Sequence, residues 1–293
     1  MAITRPIKTK IKLLKNEFDL LKKGKESLLT IIDEAEIPES VYNSNAIENS
    51  TLTLRETEKI LLEMEVSREV SLREVYEAKN LARVIEYIRG KTREVELNKK
   101  IVLFLHQMLI GGINDNIAGR FRKIGEYVRV GTHVAPAPEN VEGLVEAALA
   151  EYISELDVYF IDKIAKFHLD FETIHPFNDG NGRIGRVLIN YQLFRFGLPS
   201  IIIRDKEKKK YYESFPDYRY NQNTKKMEKV ISLALIESLH KRITYLKGEK
   251  IITLSEYCKN QENSAPSIFN AARRQNIPAF REKGVWKIGV EQK

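Results

Sequence analysis

Residues 174–190 read I-H-P-F-N-D-G-N-G-R-I-G-R-V-L-I-N, and no other stretch limits the fold as much. Pro176 between polar neighbours makes a poor central strand, because proline cannot donate to a ladder. Glycines at 180, 182 and 185 then run into the apolar Val187-Leu188-Ile189. The expectation is a loop that opens directly into a helix N-terminus. Gly180 and Gly182 lack Cβ atoms, so backbone N–H groups can approach an anion closely. The helix starting near Asn181 points its positive end at the same place. Arg183 and Arg186, three apart, share a helix face and can grip successive phosphates. Asp179 is a hard oxygen ligand suited to Mg²⁺ beside phosphate oxygens. His175 is suited to take a proton from a hydroxyl at neutral pH.

A rival reading is a dinucleotide-binding protein. Gly180-Asn181-Gly182-Arg183-Ile184-Gly185 fits G-x-G-x-x-G, and Asp205 follows Ile201-Ile202-Ile203 about twenty residues later. That fingerprint needs an apolar strand before the first glycine, and His175-Pro176-Phe177-Asn178-Asp179 is not one. Strands and helices do not alternate elsewhere either.

The rest of the chain reads as mainly α. Residues 7–32 have helical spacing, Pro38 marks a new start, and 41–49 read as a short helix. Helices are expected at 53–66 and 71–90, each opening on a capping-box pattern (Thr53/Glu56, Ser71/Glu74), with Gly90 capping the second. Another is expected at 97–110, with Ile101, Phe104, Leu105 and Met108 on one side and Gly111-Gly112 as its stop. Residues 117–138 alternate apolar and polar around Gly131-Thr132, the pattern of a small hairpin or flap. Helices resume at 139–156, 158–174, up to about Phe196, and at 224–246.

The segment His175–Arg186 resembles the complete signature of the Fic family, H-x-F-x-[DE]-G-N-G-R-x-x-R. Gly119-Arg120-Phe121-Arg122 and the flap at 127–135 are similar to what precedes that motif in the family. The resemblance implies an all-α Fic-type core and transfer of AMP from ATP to a Ser, Thr or Tyr hydroxyl of a target protein. It implies His175 as general base, Asp179 as the Mg²⁺ ligand, and Gly180-Asn181-Gly182 as the anion hole at the α-phosphate. Arg183 would meet the β-phosphate and Arg186 the γ-phosphate, with Phe177 seating the loop. By the same resemblance Tyr211 and Tyr212 would pack at the adenine. Val128, Val130, Thr132 and Val134 of the flap would pair with an extended target segment.

Ser44-Asn45-Ala46-Ile47-Glu48-Asn49 resembles the family's inhibitory motif, [ST]-x-x-x-E-[GN]. A Glu48 carboxylate paired with Arg186 would occupy the arginine that the γ-phosphate needs. Ser44 and Asn49 are the other fixed positions of the motif.

Three regions are expected: an N-terminal helical region (1–95) with the inhibitory motif, the core (96–246), and a tail (251–293) after a linker at Lys247–Lys250. The tail's two short helices and two strands around Gly284 look like a winged helix-turn-helix, with Arg273 and Arg274 on its second helix. A DNA-binding regulator is thus the other function class. The tail carries seven basic and four acidic residues, about +3, little for a DNA reader. A docking or dimerisation module, including a homodimer, is favoured over nucleic acid. The single Cys258 leaves no internal disulfide. No apolar run approaches membrane-spanning length, the N-terminus lacks a signal-peptide core, and a cytoplasmic protein is expected. His106 and His168 read as core residues, and His133 lies in the flap.

Overall fold

The computed structural model describes residues 5–66, 70–91, 95–259, 261 and 264–291. Two helices, α1 (Arg5–Leu21) and α2 (Glu26–Ile47), open the chain, and the division between them differs from the expected one. The break falls at Gly24, with φ of +72°, and α2 runs unbroken through Pro38. There the proline forgoes one backbone bond, but Ile37, Pro38, Val41 and Ile47 are all buried. Packing of the helix outweighs the local penalty.

Thr53 opens α3 (Leu54–Glu58) with the expected capping box, its N–H donating to Glu56 at 2.8 Å. A π-helical turn (Lys59–Glu63) replaces the rest of the expected helix. In α4 (Leu72–Lys91) Gly90 is helical and does not cap it. Asn98 caps α5 (Lys99–Ile110), which stops at Gly111. Phe104, expected on its apolar side, is exposed, and Val102 and Leu109 face the core instead.

The flap is the hairpin β1 (Arg129–Val130) and β2 (His133–Val134), with Val130 opposite His133. Then come α6 (Pro138–Ser154), α7 (Phe160–Ile174) and α8 (Asn181–Arg195). After an extended stretch follow α9 (Lys208–Tyr212), α10 (Ser214–Asn221) and α11 (Lys225–Lys247). The tail holds β3 (Lys250–Thr253), α12 (Leu254–Cys258), α13 (Ala265–Arg273), β4 (Ala279–Glu282) and β5 (Val285–Val290). Its sheet has the antiparallel order β3-β5-β4, one strand more than expected, with Ile252 opposite Ile288. Lys250, expected in a linker, begins that strand. Among the described residues no helix is long and apolar enough to cross a membrane.

The architecture is mainly α, and its core runs across residue 95. One buried cluster joins Val41, Leu52 and Leu81 to Leu105, Leu109, Phe177 and Ile184. A second joins Ile11, Phe18 and Ile47 to Ile164, Ile189, Leu235 and Leu239. The tail has its own small cluster of Leu254, Ile268, Ala272, Ala279 and Ile288.

Helices α7 and α8 leave no room for a side chain at Gly185. A Cβ there would lie 2.5 Å from Glu172 Oε1 and 2.8 Å from the buried His168 ring. Gly185→Ala should therefore lower stability by about 1–3 kcal/mol through overpacking, a loss readable as a lower denaturant midpoint. An unchanged midpoint would show that the two helices are not in tight contact here.

Candidate active site

The loop is shaped before any ligand arrives. Helix α7 ends at His175, which adopts φ of +50°. The Asn181 side chain accepts from Phe177 N–H at 2.9 Å and donates to Phe177 C=O at 2.7 Å, closing the loop on itself. The buried Phe177 ring stacks on His106, with centroids 3.6 Å apart and planes within 3°. His106 Nδ1 accepts from Gly119 N–H at 3.0 Å, so Nε2 carries the proton and donates to Asp179 C=O at 3.0 Å. Burial pushes the His106 pKa down to about 4. His106 thus supports the loop as well as filling the core, a role its place on an apolar helix face did not reveal.

Arg122 joins the loop to the flap. Its guanidinium donates to the carbonyls of His175 (2.9 Å), Glu126 (3.0 Å), Pro136 (2.9 Å) and Ile174 (3.3 Å). Its own N–H donates to Pro176 C=O at 3.0 Å. His133 Nε2 lies 2.8 Å from Thr173 C=O, pinning β2 to the end of α7. On the flap Val130, Thr132 and Val134 are exposed, and Val128 is partly buried.

The loop ends at Gly180, with φ of +83°, followed by the first turn of α8. A Cβ on Gly182 would collide with Glu48 Oε1 and stand 3.1 Å from Arg186 Nη1. The Glu48 carboxylate therefore rests on the bare glycine backbone. It also pairs with Arg186, Oε1 to Nη2 at 2.9 Å. Arg186 is buried and donates through Nε to Ser44 Oγ at 2.9 Å and through Nη2 to Ser44 C=O at 2.7 Å. Its Nη1 is buried without a hydrogen-bond partner. Burial opposes the Arg186 charge, but the Glu48 carboxylate more than restores it, and the net pKa rises. Asn49 takes φ of +68° just past the end of α2. That left-handed angle favours Asn or Gly, a physical reason for those two types at this position.

Asp179 is held by two arginines, with Oδ1 3.0 Å from Arg183 Nη2 and Oδ2 on Arg73. Glu77 bridges the same pair, 3.0 Å from Arg73 Nε and 3.1 Å from Arg183 Nη1. Arg73 and Glu77, from α4, had no signal in sequence because only the fold brings them here. Against burial, which favours protonation, Arg183 and Arg73 hold the Asp179 carboxyl below its usual range. An ionised, partly exposed carboxylate beside the phosphate end of the loop fits a hard divalent cation completed by phosphate oxygens. The exposed Arg73 side chain pairs with the carboxylate that such an ion would need.

His175 Nδ1 is buried, 4.0 Å from Glu172 Oε2, and burial pushes the ring's pKa down to about 4. The imidazole is therefore neutral and able to accept a proton. Burial first, then Glu48, push Glu172 up to about 8, against the pull of Arg186.

The tyrosines differ from expectation. Tyr211 is 1% exposed, lies under Arg186, and has its hydroxyl 2.9 Å from His168 Nε2. It offers no open face to an adenine. Tyr212 is partly exposed and donates to Ile47 C=O at 2.9 Å, so it contacts the end of α2. The fold turns the first ring inward and leaves the second partly outside.

This constellation has known counterparts. Residues 96–193 match the sequence model of the Fic/DOC family. Residues 96–193 are a Fic domain. The protein adenylyltransferase Fic of Nematostella vectensis is 33% identical over 180 residues, 59% of this chain and 41% of that protein. Its namesake in Drosophila willistoni is 33% identical over 177 residues, 59% of this chain and 35% of that one. The chain thus spans less than half of these curated relatives. A Fic-domain signaling protein from Bacteroides thetaiotaomicron superposes with a TM-score of 0.73 at 26% identity, over 82% of this chain and 98% of that one. A Fic family protein from Desulfovibrio desulfuricans shares the fold over 100% of this chain and 98% of its own, at a TM-score of 0.66 and 18% identity.

The buried histidines of this fold set its response to acid. Burial lowers His106, His175 and His240 to about 4 and His168 to about 3. The unfolded chain binds protons at these sites below about 6.5 while the folded chain does not. Their stabilisation is present above pH 6.5 and is lost as pH falls towards 4, at up to about 1.4 kcal/mol per pH unit for each ring. Glu172 acts in the opposite sense, favouring the fold at low pH and losing that contribution as pH rises through 8. Four rings outweigh one carboxyl, so urea midpoints should fall clearly between pH 7 and pH 5. A flat profile over that range would contradict the burial of these rings.

Proposed function

We propose that the Fic domain transfers AMP from ATP to a Ser, Thr or Tyr hydroxyl of a target protein, itself included, and that this structure is its restrained state. The observation that carries the reading is one juxtaposition. His175, neutral at the end of α7, opens a short loop that closes on a bare glycine helix N-terminus, and Arg186, one turn further on, is gripped by the Glu48 carboxylate that rests on Gly182. The Nematostella and Drosophila relatives bear the name protein adenylyltransferase, which agrees with it.

In the proposed reaction His175 takes the proton of the target hydroxyl. The hydroxyl oxygen bonds to the α-phosphorus, the bond from that phosphorus to the bridging oxygen breaks, and pyrophosphate leaves with the electron pair. Backbone N–H groups at Gly180–Gly182 and the α8 dipole stabilise charge on the α-phosphate, a preorganised electrostatic contribution. Arg183 binds near the β-phosphate and Arg186 at the γ-phosphate. Asp179 would hold Mg²⁺ once Arg73 swings away, and the ion would supply charge neutralisation across the phosphates. The exposed edge at Val130, Thr132 and Val134 receives an extended target segment.

With Glu48 in place, Arg186 is committed to Ser44 and Glu48, and the carboxylate repels a phosphate from Gly182. Glu48→Gly should raise transfer roughly 10- to 100-fold, the worth of one or two charge-assisted hydrogen bonds. His175→Ala should lower it by about 10²–10⁴-fold, the usual share of a general base. The readout is α-³²P label from ATP on the protein or on lysate proteins, with mass spectrometry for an added AMP. An unchanged rate in the glutamate variant removes the restraint, and full activity in the histidine variant removes the base.

Val130→Pro places a ring without an N–H in the flap edge. Target labelling should drop severalfold while ATP affinity stays near that of the parent. Equal losses in both would mean the flap only covers the site.

A further inference from the structure

We propose that the C-terminal module is the second anchor of the inhibitory helix α2, so that its docking sets how firmly Glu48 is held on Arg186. The inference rests on the restrained state proposed above, and goes beyond it by assigning a task to residues 250–291.

Asp33, Glu36 and Glu39 recur every three residues along α2 and are all bonded to the second half of the chain. Arg242, 1% exposed, reaches Asp33 Oδ1 at 2.5 Å and Glu36 Oε2 at 2.6 Å. Lys241 Nζ joins Glu36 (2.9 Å) to Glu282 of β4 (3.1 Å). Glu39 is the decisive contact. The turn between β4 and β5 places Lys283 at φ +50° and Gly284 at φ +78°. Two successive N–H groups in such a turn form a concavity for an anion. Glu39 fills it: Oε2 accepts from Lys283 N–H at 3.0 Å and Oε1 from Gly284 N–H at 3.0 Å. Arg204 pairs with the same carboxylate and with Glu237 at 3.1 Å, and Glu237 in turn holds Arg281 of β4 at 2.6 Å.

These contacts connect to Glu48 through rigid backbone. Glu39 and Glu48 are nine residues apart on continuous helix up to Ile47, about 13 Å of rise. Between them Asn43 Oδ1 accepts from Asp205 N–H at 3.0 Å, next to Arg204. Helix α2 is therefore held at one end by Arg186 and along its middle by the tail turn and the segment at 204–205. Were the turn to leave, the buried Glu39 carboxylate would lose both backbone donors, which low-dielectric surroundings make costly. Tail and helix accordingly move together. The turn that a winged helix would offer to a DNA groove is already engaged with protein.

The test uses the full chain with Glu39→Gln, which keeps shape but turns an amide donor towards donors, and Arg281→Gln, which loosens the tail without touching α2. Hydrogen–deuterium exchange of residues 40–48 should quicken severalfold in both, with thermal melts confirming that the variants are folded. ATP-dependent labelling should rise in both single variants, yet not further when either is combined with Glu48→Gly. Parent-like exchange at 40–48 in folded variants, while the tail itself exchanges faster, would overturn the coupling. Should no variant label any protein, Glu48→Gly included, the transferase reading fails, and the exchange result still decides whether the tail anchors the helix.

Discussion

A buried guanidinium has to be answered, and the arrangement of this molecule follows from how Arg186 is answered. Leaving such a charge unpaired in a low-dielectric interior is costly. Ser44 supplies a hydroxyl and a carbonyl, Glu48 supplies the charge, and both come from the last turns of α2. One pairing thus ties α2 to α8. In the proposed restrained state, the same atoms that complete the fold take the place of a terminal phosphate. On that proposal restraint and stability are the same contact, and one buried donor of Arg186, Nη1, is left without a partner.

The second constraint is the loop itself. Proline, asparagine and an aromatic stack hold its backbone, so the N–H groups of the glycines need no ligand to take up their positions. Preorganisation of this kind is where an electrostatic catalyst gains most, since no dipole has to turn during reaction. His106 contributes through its neutral tautomer, and burial keeps it in that form.

Much of this was legible in the chain before folding, for identifiable reasons. The loop could be read because sterics at Gly180 and the helix start at Asn181 are local. The pairing of Glu48 with Arg186 could be read because the other fixed positions of its motif, Ser44 and Asn49, lie within six residues. Arg73, Glu77 and His106 could not, since their roles depend on elements that meet only in three dimensions. The adenine role that the resemblance gives Tyr211 did not anticipate its burial, because a five-residue helix turns one ring inward and the next outward. The path of α2 through Pro38 was missed for a related reason: local preference argued for a break, and burial on both sides of the proline overrode it.

Arg122 has a mechanical consequence. One side chain binds carbonyls from the flap's approach, the flap's exit and the His175 turn. The platform that would receive a target and the ring that would deprotonate it are therefore a single rigid piece. A segment that adds to the flap edge is measured against the imidazole at once, with no hinge between them to absorb a poor fit. Selectivity for the hydroxyl's position along a target strand would then be geometric, set by residue spacing as on a ruler.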